Sequence, residues 1–122
     1  MPDDVESNDL SQIGLSEEAN SRLEKMCTEG IFKEKRDGYR LAIALAIIND
    51  LEPTAQIKRH KNIAHAHAVD PEGDLIGFVR LRRPELQAPP YRLLQGLADA
   101  GVNFIYHELQ NGRDPIAQIA SG

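Results

Sequence analysis

The stretch KEKRDGYRLAIALAIIN, Lys33 to Asn49, opens with a charged turn and closes in a nearly unbroken apolar body from Leu41 to Ile48. Such a segment reads as a helix, and a helix that is apolar on all sides must be surrounded. In a chain of 122 residues, one domain's worth of neighbours hardly covers it. The reading therefore favours a second copy of the chain packed around Leu41–Ile48. A fully internal central helix is the alternative.

Working towards the N-terminus, Gly30 reads as the C′ residue of a preceding helix. Ala19, Leu23, Met26 and Cys27 recur at helical spacing, and Ser16 ahead of Glu17 and Glu18 is an N-cap followed by acids that suit the helix dipole. An amphipathic helix over 17–29 follows. Residues 10–15 alternate weakly and predict one short strand, with Ser11, Ile13 and Leu15 on one face and Leu10, Gln12 and Gly14 on the other. Residues 1–9, polar and acidic apart from Val5, are expected to be a disordered tail.

Working towards the C-terminus, Pro53 ends the central helix, and TAQIKRHKN (54–62) reads as a basic connector. Ile63 to Val69 is an Ala/His alternation, extended or irregular. Asp70-Pro71 looks like an N-cap with Pro at the first helical position. It opens a helix near 71–82 that turns Leu75, Ile76, Phe78 and Val79 inward. After a loop marked by Pro84, Pro89 and Pro90, helices are expected at 91–100, closed by Gly101, and at 102–111, closed by Gly112. Together they form an αα-hairpin, with a further helical turn after Pro115. The fold class is mainly α: a short strand, two helices and a C-terminal extension of about three helices. Residues 10–122 make one domain. Within it, 10–52 is the oligomerisation core, 53–69 the connector and 70–122 the C-terminal helices.

Composition narrows the function classes. Aromatic residues are only 5% and Trp is absent, so the interior is aliphatic. No apolar run reaches the roughly 18–20 residues that span a bilayer. The opening Met-Pro-Asp-Asp-Val-Glu lacks the basic start and apolar stretch of a signal peptide, which points to a bacterial cytoplasm. The lone Cys27 excludes an internal disulfide and a cysteine-based zinc site. Its place on the apolar face of its helix makes it a structural thiol. The net charge of −5 hides a gradient: −6 over residues 1–34, +3 over 35–92 and −2 over 93–122. Phosphate neutralisation supplies most non-specific nucleic-acid affinity, so DNA contact would need a local basic cluster on one face.

The residues QIGLSEEANSRLEKM, the loop Gly30-Ile31-Phe32 and the run KEKRDGYRLAIALAI occupy about a third of the chain. In order and size they resemble the ribbon-helix-helix fold of small bacterial DNA-binding proteins. That resemblance implies a dimer or tetramer in which two chains pair their strands and four helices share a core. Gln12 would then be the base reader, set in a major groove, where a carboxamide can bond adenine bidentately. Phosphates would meet Lys33, Lys35, Arg36 and Arg40 at the free N–H groups that open the second helix. A solvated helix start is the alternative for that cluster. Lys58, Arg59 and Lys61 form a secondary basic patch, read as an exposed linker or a DNA-contacting arm. Arg80, Arg82 and Arg83 close a helix whose dipole favours cations. The overall plan is also similar to the small DNA-associated subunit of bacterial DNA phosphorothioation systems, which implies an accessory factor for a modification or defence complex.

Other chemistry is thinly represented. His60, His65 and His67 form H-x4-H-x-H, and His65 with His67 would point the same way in an extended stretch. A third ligand is weakly provided by Asp70 or Glu72, so polar surface histidines are the preferred reading over a metal site. Asp70 to Asp74 lacks the ligand spacing of an EF-hand. No phosphate-cradling glycine motif and no nucleophile elbow is present, so no cofactor and no catalytic residue is expected. Two functions remain: an oligomeric DNA-binding regulator, or a non-enzymatic subunit whose C-terminal hairpin docks a larger protein partner.

Overall fold

The computed structural model describes residues 9–55, 57, 58 and 61–117, with Lys61 described by its backbone alone. The protein is mainly helical. Its order is β1 (Gln12–Leu15), α1 (Glu17–Thr28), α2 (Lys35–Ile48), β2 (Lys61–His65), α3 (Ala66–Val69), α4 (Asp74–Arg82) and α5 (Pro90–Gln110). Of the expected acidic tail, residues 1–8 lie outside the described residues.

Local chemistry sets the first two helices. Ser16 is extended, and its hydroxyl accepts the Ala19 N–H at 3.3 Å, satisfying one orphan donor of α1. At the other end Gly30 takes φ +82°. The Gly30 and Ile31 amides close back onto the Cys27 and Met26 carbonyls at 3.0 and 2.9 Å. Helix α2 ends in the same geometry with Asp50 at φ +55°, a left-handed position that a short polar side chain tolerates. There the Asp50 and Leu51 amides return to Ile47 and Ala46.

Ala42, Ile43, Leu45, Ala46 and Ile47 of α2 are no more than 1% exposed within the single chain. The covering element is α5, which packs more extensively on α2 than any other element does. It contributes Leu94, Leu97, Ala98, Val102 and Ile105, all fully buried. The expectation that a second copy must clothe Leu41–Ile48 is therefore corrected: the chain's own C-terminal helix does so. Ile48 alone in that stretch is exposed, at 43%. Each fully buried Leu or Ile contributes roughly 1.5–3 kcal/mol, and the α2–α5 contact gathers several of them. The core forms one cluster running from Ile13 to Ile105, so residues 10–52 share their interior with the C-terminal half.

Helix α5 corrects a second expectation. The two helices read at 91–100 and 102–111 are one helix of 21 residues, and Gly101 lies inside it. A β-carbon at 101 would collide with the Ala42 carbonyl of α2. The glycine is a point of close helix contact and not a stop. Gly112 does end the helix, at φ +77°.

The third correction concerns β1. Its partner is β2 of the same chain, antiparallel, with Gln12 opposite His65 and Leu15 opposite Lys61, and an irregularity between Ile13 and Gly14. Residues 61–69 lie in the expected connector, whose part from Ile63 to Val69 is read as extended or irregular; they hold the strand β2 up to His65 and then the short helix α3. The other edge of β1 is closed as well. The Gly14 N–H donates to Gln95 Oε1 at 3.0 Å, the Gly14 carbonyl accepts Tyr39 OH at 3.0 Å, and the Ser16 N–H donates to Asp99 Oδ2 at 2.8 Å. Backbone groups that would meet a sister strand in a two-chain ribbon are taken by side chains of α2 and α5.

Two carboxylates cap helices from a distance. Asp70 accepts the Leu75 and Ile76 amides at 3.0 Å each, so its carboxylate serves the start of α4, but the N-cap residue is Gly73 and Pro71 lies ahead of the helix. The helix begins at Asp74 and not at 71, after Gly73 at φ +76°. Asp9 accepts the Tyr91 and Arg92 amides at 3.0 and 3.1 Å, supplying α5 with the cap that Pro89 lacks. Residues 115–117 are helical, with Asp114 accepting the Ile116 and Ala117 amides.

Candidate functional site

The predicted phosphate cluster is divided by the fold. Lys33 and Arg36 are exposed beside the start of α2, whose N-cap Glu34 makes no side-chain cap bond. Lys35 turns to α1, where its ammonium lies 2.8 Å from Glu24 Oε2 and 3.4 Å from Asn20 Oδ1. Arg36 faces Glu34 at 3.9 Å. Arg40 lines a hollow of about 220 Å³ with Asp70, Pro71, Glu72 and Asp74. With Asp37 in the first turn as well, these four cations are interleaved with at least as many carboxylates. The surface they make is of mixed sign.

Gln12 is half-buried on β1 opposite His65. Lys58 is exposed, Arg59 lies outside the described residues, and Lys61 is known here only as a backbone partner of Leu15. His65 ends β2 and His67 lies in α3, both exposed, because the extended run stops at Ala66. His60 lies outside the described residues. Among the described residues no group of three or more His, Cys, Asp or Glu side chains is placed to hold a metal. Cys27 is half-buried, and burial pushes its thiol above the usual value against the pull of Lys35. That opposes thiolate chemistry.

The arginines closing α4 have a role that sequence reading missed. Arg80 donates to the Leu86 and Ala88 carbonyls. Arg83, with its side chain only 11% exposed, donates to Glu85, to Glu52 at 2.9 Å and to the Leu51 carbonyl at 3.3 Å. Together they clamp the α4–α5 loop onto the residues that follow α2. The signal available in sequence was the triplet of arginines before Pro84, which dipole reasoning absorbed too easily.

Two surface features remain. On α4 only Val79 is buried, while Leu75, Ile76 and Phe78 are half-covered and Leu81 is 80% exposed. Helical geometry places Gly77 and Phe78 beside Leu81 on the outer face. A side chain at Gly77 would meet open space, and the Arg82 guanidinium lies 5.7 Å over the Phe78 ring. The second feature is a cavity of about 370 Å³ between the loop at 53–57 and the start of α5, where Arg92 and Gln95 meet Pro53, Ile57, Ala88 and Leu93. No helix among the described residues is long and apolar enough to cross a membrane. No family model, curated protein or solved structure matches the chain.

Proposed function

We propose that the chain is a non-enzymatic protein-interaction subunit that docks a partner through the outer face of α4, as an accessory component of a bacterial DNA modification or defence complex. The supporting observation is the apolar strip Gly77–Phe78–Leu81, with Leu81 80% exposed on a helix that buries one residue. Single exposed leucines are ordinary. A contiguous strip around an aromatic ring on a thinly buried helix is the kind of surface that marks a protein contact. The kind of complex rests on the resemblance in plan to the small subunit of phosphorothioation systems.

The test is Leu81→Glu, compared with the wild type by light scattering and by copurification with the products of neighbouring genes. Loss of a stoichiometric partner at unchanged melting temperature supports docking through α4. Retention of every partner, or of self-association, by Leu81→Glu removes this surface from the function.

A second reading is phosphate contact at the start of α2, favoured by exposed Lys33 and Arg36 beside first-turn amides without a side-chain cap. It would show as duplex binding that falls steeply with salt and is lost in Lys33→Ala/Arg36→Ala. The interleaved carboxylates place it second.

A further inference from the structure

The outer face of α4 is complementary to itself. Residues 74, 77, 78, 81 and 82 follow the three- and four-residue spacing that keeps side chains on one side of a helix. They are Asp74, Gly77, Phe78, Leu81 and Arg82, all exposed except the half-covered Phe78. The strip thus runs from a carboxylate in the first turn, through an apolar middle, to a guanidinium in the last. Its middle has a notch at Gly77, where a β-carbon would find no atom within 4 Å, beside the knob of the Phe78 ring. Each end keeps its sign. The Asp74 end opens on the hollow where Asp70, Glu72 and Asp74 surround Arg40. At the other end Glu52 and Glu85 are engaged by Arg83, while the Arg82 guanidinium lies 5.7 Å over the Phe78 ring.

We infer that this face takes a second copy of the chain, α4 against α4, antiparallel about a two-fold axis between Gly77 and Phe78. The inference rests on α4 being the docking face and names its occupant. A two-fold axis makes one patch meet itself, so the patch must supply both halves of every contact. The outer face of α4 does so. In the antiparallel arrangement each Phe78 ring faces the partner's Gly77, and each Asp74 comes within reach of the partner's Arg82. A parallel pairing would set carboxylate beside carboxylate and guanidinium beside guanidinium, and would align the two helix dipoles. The contact is modest, because nine residues make a helix about 13 Å long. That is well below a standard interface, so the dimer is weak, with a dissociation constant of roughly 10 µM to 1 mM.

Sedimentation equilibrium and light scattering of the full chain, from roughly 5 µM to 1 mM, should follow a monomer–dimer equilibrium. Gly77→Gln fills the notch and meets no neighbour in its own chain. It should weaken association about tenfold or more at unchanged melting temperature. Asp74→Arg and Arg82→Asp should each weaken it too, because each sets like charges across the axis. Mixed one to one, those two variants should associate with each other about as tightly as the wild type does with itself. A mixture no better than its components assigns both charges to the dipole of their own helix and overturns the antiparallel pairing. A chain that stays monomeric throughout that range overturns the inference outright. If Leu81→Glu then still loses a partner of another sequence, the docking reading stands and only its occupant changes. Self-association that survives both Gly77→Gln and Leu81→Glu runs through another surface and overturns both.

Discussion

The Ala42 carbonyl occupies the space that a β-carbon on residue 101 would need. Helices α2 and α5 therefore touch backbone to backbone, and neither can move aside without opening the core on both sides. Overpacking usually costs about 1–3 kcal/mol, and the obstacle here is main chain, so Gly101→Ala should reach or exceed that range. Gly77→Ala is the control: it lies within α4 and faces open space, so it should be neutral or stabilising by up to about 1 kcal/mol. Urea unfolding of the two variants checks the pair. Equal stabilities would mean that the crossing is looser than described.

Asp99 is 2% exposed and accepts the Ser16 N–H at 2.8 Å. Asp99→Ala strands that amide, a loss of about 1–3 kcal/mol. Asp99→Asn keeps an oxygen acceptor and should lose less. If the two substitutions cost the same in chemical unfolding, the bond to Ser16 contributes nothing.

Asp9 caps α5 across 82 positions of sequence. Asp9→Ala should cost about 0.5–2 kcal/mol, and Asp9→Asn, which can still accept a bond, considerably less. Amide exchange at Tyr91 and Arg92 should accelerate in the alanine variant. Unchanged protection there would show that the cap is not held in solution.

Hydrogen bonds from Arg83 and Arg113 hold the Glu85 and Glu108 carboxyls below the usual carboxylate range. A carboxyl whose folded value lies below its unfolded one stabilises the fold above the unfolded value, about 4.3 for Glu. That contribution is lost as pH falls through the folded value. The expected melting profile is flat from neutrality to that region and declines beneath it. Arg113→Met should flatten part of the decline, and because the Arg113 side chain is itself exposed the change should be small. A profile that already falls near pH 6 would point to histidines in place of these pairs.

The helix boundaries most readable in the sequence were those with local chemistry. Ser16 capped where a serine before two acids should, and Gly30 and Gly112 ended helices in the left-handed region. Gly101 misled because a glycine at a close crossing and a glycine at a helix end look alike in one dimension; only the position of Ala42 distinguishes them. An extended run from Ile63 is one of two readings of the Ala/His alternation; what stayed hidden is its pairing with β1, a contact across the whole of α1 and α2. The same distance concealed Asp9. Of the candidate sites, the exposure of Lys33 and Arg36 was legible, while the capture of Lys35 by Glu24 required the packing of α1 on α2. The cavity was not legible at all, since it joins residues 53–57 to residues 88–95.

The sealing of β1 by Gln95 and Asp99 also constrains how the molecule is made. A growing polypeptide emerging from the ribosome exposes Leu41–Ile48 long before the segment that shelters them is synthesised. At roughly 5–20 residues per second, the interval lasts some seconds. During it the greasy helix is bare, which makes chaperone capture and premature aggregation the natural hazards of its biosynthesis.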